Sequence, residues 1–232
     1  MINKILVVAA HPDDEILGCG GTIIEHIKKK DKVGIIIVSE GITARDDKRN
    51  YEKSKKKIIE LSKISKKISK ELKVSFIDFF SFPDNRLDSV NLLDIVKRIE
   101  DRVLNFKPNI VYTHHNNDLN IDHCLINKAV LTACRPYPNQ SVEKILTFEI
   151  PSSTNWGDTS QNAFFVPNYY QEITNSLEKK IKYLKMYRDE MRDWPHARSL
   201  KAIESLAIHR GSTVGLKMAE AFQLVRNVKK FF

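Results

Sequence analysis

No two cysteines in this chain are spaced C-x-x-C, and the three present, Cys19, Cys124 and Cys134, are an odd number. That argues against a disulfide framework and points to buried or free thiols in a reducing compartment. No G-x-G-x-x-G follows the first apolar run, so a dinucleotide cofactor is not expected. No segment has the length or apolarity of a signal peptide or a membrane span, and the first apolar run starts at Ile5, so a cytoplasmic protein is expected. No internal repeat or compositional break divides the 232 residues, a length that suits one α/β domain with its own core.

What is present is alternation. Ile5-Leu6-Val7-Val8-Ala9-Ala10 is short, apolar and uninterrupted, as a strand buried on both faces should be. Strands are also expected over 33–38, 74–78, from Ile110, and over 145–149, with helices near 15–27, 49–71, 91–105 and 121–134. Strands alternating with helices imply a Rossmann-like, mostly parallel, doubly wound sheet flanked by helices in a single domain over 1–232. From about residue 150 the pattern becomes loop-rich around Pro151 to Gly157 and Phe164 to Tyr170, and helices resume over 173–188 and 199–209. Gly18, Gly20 and Gly21 are placed to let the first helix approach the sheet or a ligand closely.

The chemistry concentrates at two strand ends. His11-Pro12-Asp13-Asp14-Glu15 sits where the first apolar run stops, and ligands of parallel α/β sheets bind just beyond the carboxyl ends of strands. Acidic residues here could simply cap a helix. The preceding histidine adds a nitrogen donor, and His11 with Asp14, three residues apart, suits a borderline cation such as zinc. A third ligand must come from elsewhere, and the dense supply is Thr113 to His123, which holds His114, His115, Asp118, Asp122 and His123 after the strand from Ile110. His26, on a helix and away from any loop, reads as structural. Cys124 reads as a small residue packing beneath the site.

Together, Ala10-His11-Pro12-Asp13-Asp14-Glu15, the following Gly18-Cys19-Gly20-Gly21-Thr22 and the D-x-N-x-D-H stretch from Asp118 to His123 resemble the PIG-L or LmbE-like zinc-dependent N-deacetylases. The resemblance extends to Ser81-Phe82-Pro83-Asp84-Asn85-Arg86, to Arg210-Gly211 and to Ala219-Glu220-Ala221-Phe222. It implies His11, Asp14 and His123 as metal ligands and Asp13 as general base. It also implies Asp84, Arg86 and Arg45 as substrate contacts, with Asp118, Asp122 and His114 supporting the ligands. Several members carry a histidine three residues before the third ligand to polarise the substrate carbonyl, where this chain has Asn120. His196, in Trp194-Pro195-His196-Ala197-Arg198-Ser199, is the first candidate for that role, and His114 or His115 the second.

The implied function is hydrolytic removal of an acetyl group from an N-acetylated amino sugar, with Zn2+, or Fe2+ in its place, as cofactor. Three protein ligands leave a position for water, whose pKa falls toward ~7 on zinc. A carboxylate beside the site can then take the remaining proton. The alternative is a non-catalytic metal- or carbohydrate-binding protein of the same fold, against which Asp13 argues, since binding alone needs no free carboxylate there. Trp156 could stack on a sugar or anchor its loop. The formal charge of +9 draws largely on lysines between Lys53 and Lys73, spaced as the solvated face of an amphipathic helix. Nucleic acid is therefore not the expected partner; an N-acetylated amino sugar is, a nucleotide- or lipid-linked form of it being an alternative that the basic surface would attract, and a homo-oligomer is left open.

Overall fold

The computed structural model describes residues 2–45, 48–158 and 164–229. Among these residues the strands are β1 (Lys4–Ala9), β2 (Lys32–Ser39), β3 (Phe76–Phe82), β4 (Ile110–His114), β5 (Lys144–Phe148), β6 (Tyr169–Glu172) and β7 (Ala219–Asn227). They form one sheet in the order β3-β2-β1-β4-β5-β7-β6. The first five pair in parallel, as their alternation with helices requires. β7 runs antiparallel to β5, and β6 antiparallel to β7.

The helices are α1 (Asp14–Lys28), α2 (Tyr51–Leu72), α3 (Leu92–Phe106), α4 (Ile121–Ala133), α5 (Leu177–Leu184) and α6 (Leu200–Ser212). Successive β1 side chains face opposite layers, which is why its run is apolar throughout. Ile5, Val7 and Ala9 pack with residues of α1, α2, α5 and α6, while Leu6, Val8 and Ala10 pack with α3 and α4. On α2, Leu61, Ile68 and Leu72 are buried and most lysines are exposed, the amphipathic pattern expected. No described helix is long and apolar enough to cross a membrane.

Three expectations are corrected. The strand expected over 74–78 runs instead from Phe76 to Phe82, following β2 through a register shift between Ile37 and Ser39. The helix expected over 173–188 is reduced to α5, because the chain to Glu172 is an edge strand and Ser176 N–H closes a turn on the Ile173 carbonyl. The loop-rich part from about residue 150 also holds two unexpected strands: β6 begins at Tyr169, inside the second loop segment, and β7 follows the last expected helix, so the parallel core is extended by two antiparallel strands.

α1 is bent at Cys19, whose φ of −148° and ψ of 26° leave the helical range. Side chains inserted into a helical hydrogen-bond ladder cause such kinks, and two are inserted here. Glu220 on β7 accepts the N–H groups of Gly21 and Thr22 at 2.9 and 2.7 Å. Lys180 on α5 donates to the Leu17 carbonyl at 2.8 Å and to Glu220 at 2.6 Å. The kink separates the first turn of α1, which carries Asp14 and Glu15, from the part that follows the sheet. The glycines permit the close approach: a Cβ on Gly18 would lie 2.3 Å from the Phe148 ring, and one on Gly21 2.6 Å from Ile173.

Glu220→Leu leaves the buried Lys180 ammonium and two amides without their acceptor, and is expected to cost about 3–5 kcal/mol of stability. Urea denaturation reads this as a lowered midpoint; an unchanged midpoint would remove the Lys180–Glu220 pair as the support of the kink.

Candidate active site

The strand order reverses beside β1: the chain moves outward through β2 and β3, then crosses back to β4 on the other side. The loops leaving β1 and β4 therefore meet at the topological switch point, where open α/β sheets bind ligands. One carries His11 to Glu15 and the other leads to Asp118, Asp122 and His123.

Asp14 lies at the centre and is fully buried. Its Oδ2 is 3.1 Å from His11 Nδ1, 3.2 Å from His123 Nε2 and 3.6 Å from His114 Nε2. Each of the two nearer imidazoles turns its other nitrogen to a carboxylate. His11 Nε2 is 3.1 Å from Asp84 Oδ1 and 3.2 Å from Asp122 Oδ2, and His123 Nδ1 is 3.1 Å from Asp118 Oδ2. These carboxylates are anchored in turn. Asp122 accepts the Asn85 and Leu87 N–H groups at 2.8 and 3.1 Å, Asp84 accepts that of Ala44 at 2.9 Å, and Asp118 accepts the hydroxyls of Thr154, at 2.7 Å, and Ser153.

This is the arrangement of ligands oriented by an outer layer of acceptors. His11, Asp14 and His123 each offer one ligand atom, all within 4.8 Å of one another, so they could hold a metal ion. A test within the protein supports the fit: His123 Nε2 and Asp14 Oδ1 are buried and have no hydrogen-bond partner, although buried polar atoms are rarely left so. A second grouping, His11 with Asp84 and Asp122, is also close enough, but its carboxylates already accept backbone amides.

The electrostatics favour a positive charge at this point. Burial alone would lower the basicity of His123, but Asp14 and Asp118 outweigh it and raise its pKa to about 9. Burial acts likewise on His11 and is overcome by Asp122, Asp14 and Asp84, which hold its pKa well above the usual value. Asp118, which burial would raise, is held at about 2 by His123 and the two hydroxyls. His114 goes the other way, because burial and then the neighbouring His123 push its pKa well down. Its Nε2 accepts the Ala10 N–H at 2.8 Å, so it is a neutral ring, stacked on His123 with centroids 3.9 Å apart.

Asp13 stands apart from the cluster. Its carbonyl accepts the amides of Ile16 and Leu17 and so opens α1, but its side chain makes no cap bond. Instead Arg198 Nη1 donates to Asp13 Oδ2 at 2.9 Å. The backbone here has φ of 121°, rare outside glycine and costing about 1–3 kcal/mol. Glu15 holds it: Oε2 accepts the Asp13 N–H at 3.0 Å, while Oε1 accepts the Tyr187 hydroxyl at 2.6 Å. Burial raises the Asp13 pKa well above the carboxylate range, with Arg198 opposing and Asp14 and Glu190 adding to the rise.

The other residues singled out by sequence are placed as follows. Asn120 caps α4, its side chain accepting the Asp122 N–H at 2.9 Å. His114 Nε2 and His115, which is buried with its ring edge toward Phe165, do not stand open to a substrate. His196 is half-buried and its Nδ1 accepts the Arg198 N–H at 3.0 Å, which leaves the proton of the neutral ring on Nε2. Trp156 is exposed and meets the His196 ring edge-on at 5.6 Å, so it is not a buried anchor. Arg45 pairs with the buried Glu190 at 2.6 Å, and Arg86 Nε is buried without a partner. His26 bonds Asp31 and Tyr112 and is structural, as expected, and Cys124 donates to the Asp118 carbonyl. Arg198, Glu190 and Tyr187 were not anticipated; a cation two residues beyond His196 in the same loop was the one available signal.

A family model described as PIG-L, GlcNAc-PI de-N-acetylase, matches residues 6–134. The uncharacterised deacetylase YaiS of Escherichia coli K12 is 29% identical over 154 residues, spanning 64% of this chain and 75% of that protein. Among solved structures, the N,N'-diacetylchitobiose deacetylase of Pyrococcus horikoshii matches at a TM-score of 0.77 and 18% identity, over 97% of this chain and 84% of its own. GalB, the 4-carboxy-2-hydroxymuconate hydratase of Pseudomonas putida KT2440, matches at 0.74 and 21% identity over the full length of both chains. At these identities the two structures establish the α/β fold.

Asp118→Asn keeps the shape of the support but removes its charge, and is expected to weaken zinc binding about 10–100-fold. Competition against a chromophoric chelator measures this; unchanged affinity would show that Asp118 does not act on the cluster through His123.

Proposed function

Because the chain belongs to the PIG-L family of de-N-acetylases, and so to the acetyl-removing hydrolases, we propose that it is a metal-dependent N-deacetylase acting on an N-acetylated amino sugar. The observation that carries this reading is the pairing of a His11–Asp14–His123 donor set with a separate carboxylate, Asp13, whose oxygen is held by Arg198 rather than by the set. The names of the family and of the chitobiose deacetylase both describe acetylated amino sugars, which supports the substrate class. Two nitrogens and one oxygen suit zinc, with ferrous iron as the alternative. When bound, such an ion would acidify water and polarise an amide carbonyl.

The protein's own groups then divide the work. Asp13, with its pKa raised by burial, takes the proton of the attacking water and returns it to the departing amine, so that acetate and a free amino sugar leave. Arg198 fixes the direction of the Asp13 carboxylate and limits the rise in its basicity. His196 presents a donor nitrogen and is the group we assign to the developing oxyanion, the task that Asn120 leaves open. Asp84 holds His11 and Arg45 is tied to Glu190, and the assignment of Asp84, Arg86 and Arg45 to the sugar rests on the family resemblance.

Acetate release from N-acetylglucosamine, its oligosaccharides and its nucleotide-linked form, by zinc-reconstituted protein, tests the proposal. Asp13→Ala is expected to lower the rate about 10²–10⁴-fold with metal retained. No acetate from any N-acetyl sugar, with metal confirmed bound, would overturn it in favour of a binding protein or of another reaction on this fold.

A further inference from the structure

The loop beyond β5 forms a third wall of the site, beside the loops that leave β1 and β4. Ser152 Oγ accepts Arg198 Nε–H at 2.9 Å, and the same guanidinium holds Asp13. Ser153 and Thr154 donate their hydroxyls to Asp118, which faces His123. Three consecutive residues thus reach both the carboxylate assigned as base and the support of the third metal donor. Trp156 comes two residues later, and its ring meets that of His196 with centroids 5.6 Å apart. It is nevertheless more than half exposed, although a buried indole is among the largest stabilising contributions a side chain makes. Leu119 stands beside it: the Leu119 and Trp156 amides both donate to the Ser153 carbonyl, at 3.4 and 3.1 Å, and Leu119 is more exposed still. The loop is folded by its main chain and hydroxyls. Thr154 Oγ1 accepts the Ile150 N–H at 2.8 Å and the Thr154 carbonyl that of Gly157 at 3.2 Å, so the indole is not what holds it.

We propose that Trp156 is the platform on which the pyranose ring of the substrate stacks, with the acetamido group turned toward Asp13 and His196; this rests on the deacetylase reading above. A pyranose presents C–H groups from its faces and hydroxyls from its rim. An apolar, electron-rich indole face complements the first and leaves the second to polar neighbours and water. Exposed apolar side chains grouped at a polar site, as Trp156 and Leu119 are, mark surfaces that a ligand covers. Position supplies the link to the reaction. His196 is the group assigned to the oxyanion and it touches the indole, so a carbonyl that meets His196 brings the sugar ring it hangs from against Trp156. The ties of residues 152–154 to Arg198 and Asp118 fix the indole relative to both the base and the metal donors. The platform therefore selects amides carried on a sugar ring over acyclic ones. Trp194, the other tryptophan, instead has the Lys201 ammonium over its ring at 4.6 Å.

Tryptophan emission reads the contact directly, because Trp194→Phe leaves Trp156 as the one tryptophan. Zinc-loaded Trp194→Phe protein would be titrated with N-acetylglucosamine, with its deacetylated product glucosamine, and with the acyclic amide N-acetylethanolamine. Both sugars are expected to shift the emission saturably, and the acyclic amide is not. In the otherwise wild-type protein, Trp156→Ala is expected to raise the calorimetric Kd and the KM for N-acetylglucosamine about tenfold. The melting temperature and kcat stay nearly unchanged, the pattern of lost ground-state binding, and Trp156→Phe, which keeps an aromatic face, restores most of the affinity. Sugar binding without an emission change, no saturable sugar binding, or equal affinity in Trp156→Ala and wild-type protein would overturn the platform even where acetate is released. So would a fall in kcat with KM unchanged, which would make Trp156 a support of His196. A saturable emission shift without acetate release would uphold the platform and count against the deacetylase reading alone.

Discussion

Asp14 is a fully buried carboxylate with imidazoles on two sides at 3.1 and 3.2 Å, and much of the surrounding structure is arranged to make that tolerable. A buried charge is costly unless it is paired, and pairing here extends outward in layers. Asp84 and Asp122 face the far nitrogen of His11 and Asp118 that of His123, which orients each ring toward Asp14. Asp122 is held by the Asn85 and Leu87 amides, Asp84 by that of Ala44, and Asp118 by Ser153 and Thr154 beyond β5. What remains unsatisfied, His123 Nε2 and Asp14 Oδ1, lies where one cation would meet both.

The C-terminal part of the chain, beyond the residues matched by the family model, completes this site instead of forming a separate unit. β7 brings Glu220 and α5 brings Lys180 into the break in α1, which sets the first helical turn against the end of β1. Tyr187 secures Glu15, Glu15 secures the strained Asp13 backbone, and Arg198 takes the Asp13 carboxylate. The turn of residues 11–15 is therefore held in place from residues 180–220.

The parallel core and its loops could be read from the sequence because each parallel strand is an apolar run that ends at a polar turn, and β1 and β4 both end in histidine-bearing segments. That the two loops can face each other followed from strand ends of one parallel sheet, while the choice of His123 among their histidines came from the family resemblance. β6 escaped because Tyr-Tyr-Gln-Glu shows no alternation and sits half-buried at an edge. β7 escaped because it opens with a buried glutamate, whose burial depends on a kink and a lysine in other elements. Asp13 shows the limit most clearly: by spacing it could have been a helix cap, and only the φ of 121° and the distant Arg198 separate it from one. Contacts spanning 185 residues leave no local periodicity.

The central claim, that the buried cluster is a metal site made of His11, Asp14 and His123, is tested most directly by titrating metal-free protein with Zn2+ and recording the X-ray absorption of the product. The account predicts one tightly bound ion per chain, coordinated by two imidazoles and a carboxylate oxygen, and its loss in His123→Ala. Absence of saturable binding in the wild-type protein, or full occupancy with unchanged coordination in His123→Ala, would contradict it.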